Sequence, residues 1–452
     1  QVWDGSSWGN LEEMAASGVA GDRSFDVCYE QVSGDAMVFY RTAGNTSIIG
    51  YKIWSGSSWG NEQTLQDVGG PLTTIRCVKE SGTNYIAVMA HDTADDCHLV
   101  IWDGTTTTHY QETDDNCSVC DGCFSFDGAW ESNTGDFVEA HYADGDHAID
   151  GYLWTRSTGN FSVLNDIIGG VPTAEKTWIE MKANPDPTSD QILIVVADDD
   201  DDLEQNSWDG DAWGSESQLS GDIGGVTEAS RGFALGFERN SYNALLTYGL
   251  EVTQPTYREW TTTSGWGSPQ TLSASAPEAI DWHQLSSDSH SNNIMLTMIG
   301  VTDDVATIEW NGSAWDAAWE SHETASDDVM QNAYFVYDNE DEIVLTQNYY
   351  RWRADLDSLS TTTNGWLAAE NTELVTTASS TVRLRIEVAN TGGTATNYQY
   401  QLEYAAKNGT CAASSFSVIP TSTASGPFEM FNSTHYVNNA STTVGHLTGV
   451  GS

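Results

Sequence analysis

The stretch WDGSSWG at residues 3–9 returns as WSGSSWG at 54–60, WDGDAWG at 208–214 and WNGSAWD at 310–316. In each copy a strand ends in Trp, a short Gly/Ser/Asp turn reverses the chain, and a second Trp begins the return strand. The paired indoles then pack across the hairpin and supply much of its apolar burial. The leading positions Trp3, Trp54, Trp102, Trp154, Trp208, Trp260 and Trp310 recur every 48 to 54 residues. A period near 50 with one tight polar turn per unit marks a β-propeller.

Each unit reads as four short strands, which in the fifth are GFALGF, YNALLTYG, TYREW and WGSPQTL. Successive units alternate in character. One kind opens at Phe25, Phe126 and Phe233, the other around Ile75, Trp178 and Trp282, so the true repeat is a pair of blades about 104 residues long. Residues 1–13 read as two outer strands of a blade, and residues 330–347 (NAYFVYD, then EIVLTQ) as two inner ones. Joined, they make a seventh blade, close the ring and remove its exposed edges. A seven-bladed propeller is therefore expected over residues 1–347.

From Asn348 the pattern changes. Val382, Leu384, Ile386 and Val388 alternate with Arg383, Arg385 and Glu387, as a half-buried strand does, and Tyr398, Tyr400, Leu402 and Tyr404 repeat the alternation. An Ig-like β-sandwich is expected over residues 348–452. The segments YYRWRADLDSLSTTTNGWLAAENTEL (349–374), RLRIEVANTGGTATNYQYQLEYAAKNGTC (383–411) and SFSVIP (415–420) resemble a module of large surface proteins of uncultivated microbes. SFDVCYEQVSGDAMVFY (24–40) and IWDG (101–104) resemble propellers joined to that module in some of those proteins. The resemblance implies an extracellular propeller followed by an Ig-like sandwich. It also implies further strands and a second Cys beyond Ser452, so the sandwich is expected to be incomplete within one subunit.

The chain of 452 residues carries 66 acidic and 16 basic residues, a formal charge of −50. Such a surface repels nucleic-acid phosphate and anionic lipid, which excludes both as partners. No run of 18 apolar residues is present to span a membrane. Gln1 stands directly before a propeller strand, so the chain reads as a processed form or an excerpt. Sequons at Asn45, Asn116, Asn160, Asn311, Asn408, Asn432 and Asn439 fit a secreted or cell-surface glycoprotein.

Seven cysteines sharpen that reading. Cys28 and Cys77 fall on innermost strands of neighbouring blades, within reach of a disulfide. Cys97, Cys117, Cys120 and Cys123 fall on loops of one face, where they form either two disulfides or a four-thiolate zinc or iron site; outside the cell, disulfides are the plainer reading. Cys411 has no partner in its own domain.

Carboxylates cluster at one loop of alternate blades: Asp92, Asp95 and Asp96; Asp198, Asp199, Asp200, Asp201 and Asp202; Asp303 and Asp304. Hard oxygen ligands suit calcium, although none of the three loops has the interleaved order of a loop-type calcium site, and a solvated acidic rim explains them as well. His141, Asp144, Asp146 and His147 form a possible transition-metal set with a polar loop as its plainer reading. No cofactor is required.

No catalytic set emerges. G-x-S-x-G at 5–9 and 56–60 sits in β-hairpins, not at a strand-to-helix elbow. Arg23, Arg76 and Arg231 open innermost strands, as a sialidase-like glycoside hydrolase would need, but S-x-D-x-G-x-T-W is absent. Asp26 and Asp127 face the channel without an acid/base partner. The chain is read as non-enzymatic: an extracellular structural protein, the repeating subunit of a filament or surface layer. Val382 to Val388 and Tyr398 to Tyr404 would line an acceptor groove for a strand from a second copy, with residues 441–452 as a donor. The alternative is a carbohydrate-binding propeller with glycan partners, although the recurring Trp pairs read first as core.

Overall fold

The computed structural model describes residues 1–3, 6–14, 23–113, 117, 125–143, 145, 147–169, 174–227, 230–324, 333–337, 345–355, 365–377, 380–390, 402–406, 416–419 and 428. Two compact units divide at Tyr337/Asp338.

The first unit opens with the hairpin β1 (Val2–Trp3) and β2 (Trp8–Gly9), followed by six antiparallel blades. Blade 1 comprises β3 (Phe25–Tyr29), β4 (Ala36–Arg41), β5 (Ile48–Trp54) and β6 (Gln63–Asp67). Blade 2 comprises β7 (Leu72–Lys79), β8 (Ile86–Asp92), β9 (Cys97–Trp102) and β10 (Thr107–Thr113). Blade 3 comprises β11 (Phe126–Trp130), β12 (Phe137–Ala143), β13 (Ala148–Thr155) and β14 (Asn160–Ile168). Blade 4 comprises β15 (Lys176–Ala183), β16 (Ile192–Asp198), β17 (Leu203–Trp208) and β18 (Ser217–Ser220). Blade 5 comprises β19 (Phe233–Phe237), β20 (Ala244–Tyr248), β21 (Thr256–Thr261) and an outer edge split into β22 (Gly265–Trp266) and β23 (Gln270–Thr271). Blade 6 comprises β24 (Ile280–Ser287), β25 (Ile294–Gly300), β26 (Val305–Trp310) and β27 (Glu320–Glu323). The first strand of each blade packs on the first strand of the next, from β3 through β24, which arranges the blades as a propeller.

Burial follows position in the blade. Second strands lie between neighbouring blades and are covered on both faces, so β4, β8, β12, β16 and β20 are buried at every residue. That is why most of them read as near-continuous apolar runs, ILIVVAD in β16 above all, although Glu139 and His141 interrupt β12. The outer strands β6 and β18 on the perimeter bury a single residue each.

The Trp phrases fold as the spacing implies. Trp3–Trp8, Trp54–Trp59, Trp208–Trp213 and Trp310–Trp315 meet at 5.4–5.6 Å between ring centroids with interplanar angles of 54–61°. The pairwise repeat appears as a joint made three times. Trp102, Trp208 and Trp310 in the second blade of each pair donate Nε1–H to Glu30, Glu131 and Glu238 of the first blade, each at 2.6 Å. Asn84, Asp190 and Asn292 then accept two backbone N–H groups each from the first blade's inner turn, at 2.7–3.1 Å.

The ring differs from expectation at its seam. Residues 345–347, expected on an inner strand of a seventh blade, instead open β28 (Leu345–Ala354), which pairs with β29 (Val382–Asn390) in the second unit. Residues 330–332 and 338–344 lie outside the described residues, and β1 and β2 pair with each other. The hairpin rests on blade 1 through Lys52 Nζ to Glu12 Oε1 (2.5 Å) and Trp59 Nε1 to the Asn10 carbonyl (3.0 Å). Residues 333–337 run beside blade 6, where the Tyr337 hydroxyl donates to Glu309 Oε1 (3.0 Å). The face of β3 toward the seam is therefore open: Phe25, Val27 and Tyr29 are 66%, 47% and 48% exposed. The equivalent strands β11 and β19, covered by a preceding blade, are buried throughout.

Among the described residues the second unit holds the β28–β29 pair and a short pair, β30 (Glu403–Tyr404) with β31 (Ser417–Val418), not two facing sheets. Val382 and Leu384 are half-buried, whereas Ile386 and Leu402 are exposed, so a closed apolar acceptor face is not seen there. The side chain of Val388 is not described, and Tyr398, Tyr400 and Cys411 lie outside the described residues.

Candidate functional site

The first strands of the blades surround a channel whose wall is built from carboxylates that fasten one blade to the next. Asp26 accepts the Cys77 backbone N–H, Asp127 that of Met181, and Glu180 that of Leu235, each at 2.8 Å. Arginines complete the layer: Arg76 meets Asp127 at 3.1 Å and Arg231 meets Glu180 at 2.5 Å. Burial alone would raise the Glu180 carboxyl, but the charges of Arg231 and Lys182 outweigh it and hold the group at about 2. Arg23 lies over the rings of Trp178 (5.7 Å) and Trp282 (5.5 Å), and burial, Arg231 and Arg76 together pull its pKa down. The three arginines thus converge on the channel, but Arg76 and Arg231 are neutralised by blade-fastening carboxylates.

Beyond this layer the channel widens into a cavity of about 610 Å³. Blade 1 contributes Val27 and Tyr29, blade 2 Lys79, Glu80 and Ser81, blade 3 Trp130, Glu131 and Ser132, blade 4 Lys182, Pro185 and Pro187, and blade 5 Arg239. Apart from Val27, which lies within β3, these residues sit at the ends of first strands or in the turns just after them.

The cavity's carboxylates already have partners. Glu80 pairs with Arg156 and accepts from Thr83. Glu131 accepts Trp208 Nε1 and the Thr134 hydroxyl, and burial pushes it up to about 7. Asp127 is held by Arg76 and by the backbone N–H groups of Gly128 and Met181. The cations are less evenly matched. Lys182 Nζ lies 3.0 Å from Glu180, whereas Arg239 donates to the Pro185 carbonyl at 2.6 Å. Among the described residues no carboxylate lies within ion-pair distance of Lys79 or Arg239.

The other candidate residues are distributed differently. Cys28–Cys77 is a disulfide between β3 and β7 (Cα–Cα 6.1 Å) and Cys97 bonds Cys117 (Cα–Cα 5.4 Å); Cys120 and Cys123 lie outside the described residues. The Cys97–Cys117 bond agrees with the disulfide reading of this group. The acidic loops are turns. Asp95, Asp201 and Asp303 occupy the same left-handed position at φ 62–67°, which Asp tolerates better than most residues. Asp92 turns inward to His98 (3.3 Å), Asp198 to Lys176 (2.9 Å), and Asp199 accepts the Glu175 N–H. Asp96, Asp200, Asp202 and Asp304 belong to the same turns, and among the described residues no three His, Cys, Asp or Glu side chains are grouped to hold a metal ion. His141 faces Glu139 and His147 faces the Tyr142 hydroxyl; Asp144 and Asp146 lie outside the described residues. Asn45, Asn160 and Asn311 are exposed, as glycan acceptors must be, while Asn116, Asn408, Asn432 and Asn439 lie outside the described residues. Lys79, Lys182 and Arg239 were missed from the sequence, which offers no motif at any of them.

No protein-family model and no curated protein sequence matches the chain. Among solved structures it is similar to the BP39L lectin of Burkholderia pseudomallei, at 12% identity and TM-score 0.49, over 67% of this chain and 86% of that one. AofleA of Arthrobotrys oligospora is similar at 12% identity and TM-score 0.40, over 68% and 88%. The Aleuria aurantia lectin, described as a six-bladed β-propeller with a novel fucose recognition mode, is similar at 12% identity and TM-score 0.36, over 65% and 92%. Likenesses this distant do not establish what the present chain binds.

Proposed function

We propose that the chain is an extracellular glycan-binding β-propeller whose central cavity receives the sugar. The carrying observation is the cavity itself: about 610 Å³, within the range of small-ligand sites, and lined by the exposed Tyr29 ring and by Lys79 and Arg239, which have no carboxylate within ion-pair distance among the described residues. Tyr29 supplies a surface on which a pyranose ring can rest, and Ser81, Lys79 and Arg239 supply donors for its oxygens. The hairpin indoles are less suited to that role, because Trp102, Trp208 and Trp310 are buried with their N–H groups bonded to glutamates. The filament reading rested on a shortage of chemistry and on an apolar groove in the second unit. The cavity weakens the first ground, and the exposure of Ile386 and Leu402 lends nothing to the second. A glycan array probed with the full chain tests the reading. Selective retention of a defined glycan class supports it, and the absence of binding across the array sinks it.

A further inference from the structure

Charge in this cavity runs against the composition of the chain. A chain of 66 acidic and 16 basic residues places Arg76, Lys79, Lys182 and Arg239 around one cavity. Cations in so acidic a protein readily find carboxylates, as Lys52, Arg156, Lys176 and Arg231 do in ion pairs. The cavity's own carboxylates are engaged elsewhere, Glu80 by Arg156, Glu131 by Trp208 and Thr134, and Asp127 by Arg76 and two backbone N–H groups. Lys79 is exposed at the end of β7, and Arg239 is fixed by the Pro185 carbonyl, which leaves the rest of its guanidinium fork to face the cavity. A fixed guanidinium and a mobile ammonium around one recess suit an anionic oxygen cluster, the first by geometry and the second as a point charge.

We infer that the cavity selects saccharides bearing an anionic group, a carboxylate or a sulfate, which Lys79 and Arg239 bind while Tyr29 supports the ring. This rests on the glycan-binding reading and adds the ligand's charge. No covalent step is involved. Over the first unit the acidic surface repels the same ligand, which favours binding in the cavity, where cations outnumber available carboxylates.

Calorimetric titration of the full chain with glucose, glucuronate, glucose 6-sulfate and inorganic sulfate tests it. Glucuronate or glucose 6-sulfate should bind and glucose should not at the same concentration, with affinity falling as salt rises. The two anionic sugars separate carboxylate from sulfate recognition. Lys79→Glu, a change at an exposed side chain, should weaken binding by about tenfold with an unchanged melting temperature, and Lys79→Gln should weaken it less. Equal binding of glucose and the anionic sugars, or an undiminished affinity in Lys79→Glu, overturns the inference while leaving glycan binding intact. Binding of inorganic sulfate with no saccharide bound overturns the glycan reading and, with it, the ligand class. No binding of any of the four overturns both.

Discussion

Glu30, Glu131 and Glu238 each hold a buried indole N–H and a hydroxyl from their own turn, so three residues fasten three pairs of blades. Glu238→Ala would leave Trp310 Nε1 buried without an acceptor, at a cost of about 2–3 kcal/mol. Glu238→Gln keeps an acceptor and should stay within about 1 kcal/mol of the parent. Urea unfolding of the two variants checks the difference; equal losses would mean that the indole bond is not what holds the joint. His283 gives a pH signature. It is fully buried, with Nε2 at 2.9 Å from the Gly249 carbonyl and Nδ1 at 3.2 Å from the Thr247 hydroxyl. Burial drives it down to about 4 from an ordinary 6.5. A lowered folded pKa contributes stability that is complete above pH 6.5 and is lost as pH falls towards 4, about 3 kcal/mol in all. His283→Gln should lose the part of the pH slope between 6.5 and 4 that equals one proton, and an unchanged slope would assign it elsewhere. At this scale the sequence was uneven. Asp26 and Asp127 were placed on the channel by position alone, but that they fasten neighbouring blades depends on backbone groups about 50 residues away.

Among elements, the hairpins were legible because Trp, Gly and polar turn residues act within seven residues of one another. Most second strands were equally plain, since burial on both faces writes itself as a near-continuous apolar run, with β12 the exception through Glu139 and His141. The strand Leu345–Ala354 was not, because EIVLTQ is as apolar as an inner blade strand and only its partner, β29, decides which unit it joins. The disulfide between β3 and β7 ties blade 1, the blade beside the seam, to blade 2. Removing it with Cys28→Ala and Cys77→Ala together is expected to cost about 2–4 kcal/mol in thermal unfolding. Non-reducing peptide mapping should recover Cys28 with Cys77 and Cys97 with Cys117; free thiols at these positions would contradict the assignment.

The whole molecule explains what no local pattern showed. Lys79, Lys182 and Arg239 belong to three different blades and meet only because the ring brings the ends of first strands to one axis. The same geometry opens the seam. Nine of the twelve large apolar side chains exposed among the described residues of 1–337 (Trp3, Trp8, Leu11, Phe25, Val27, Tyr29, Val32, Tyr334 and Val336) fall in the stretches flanking it, and Val163, Val252 and Val301 do not. Deleting residues 1–13 removes the Glu12 and Asn10 contacts from blade 1 and should lower stability by about 1–3 kcal/mol and promote aggregation. Melting and light scattering identical to the full chain would show that the hairpin contributes nothing to the ring. The central claim, that sugar enters the cavity at the axis, is tested most directly by photoaffinity labelling. A diazirine-bearing glycan chosen from the array would be cross-linked to the full chain and the labelled peptides sequenced. Labels on the peptides holding Tyr29, Lys79 to Ser81, Trp130 to Ser132 and Arg239 are the predicted result, and labels confined to the outer Trp hairpins or to residues beyond Tyr337 would contradict it.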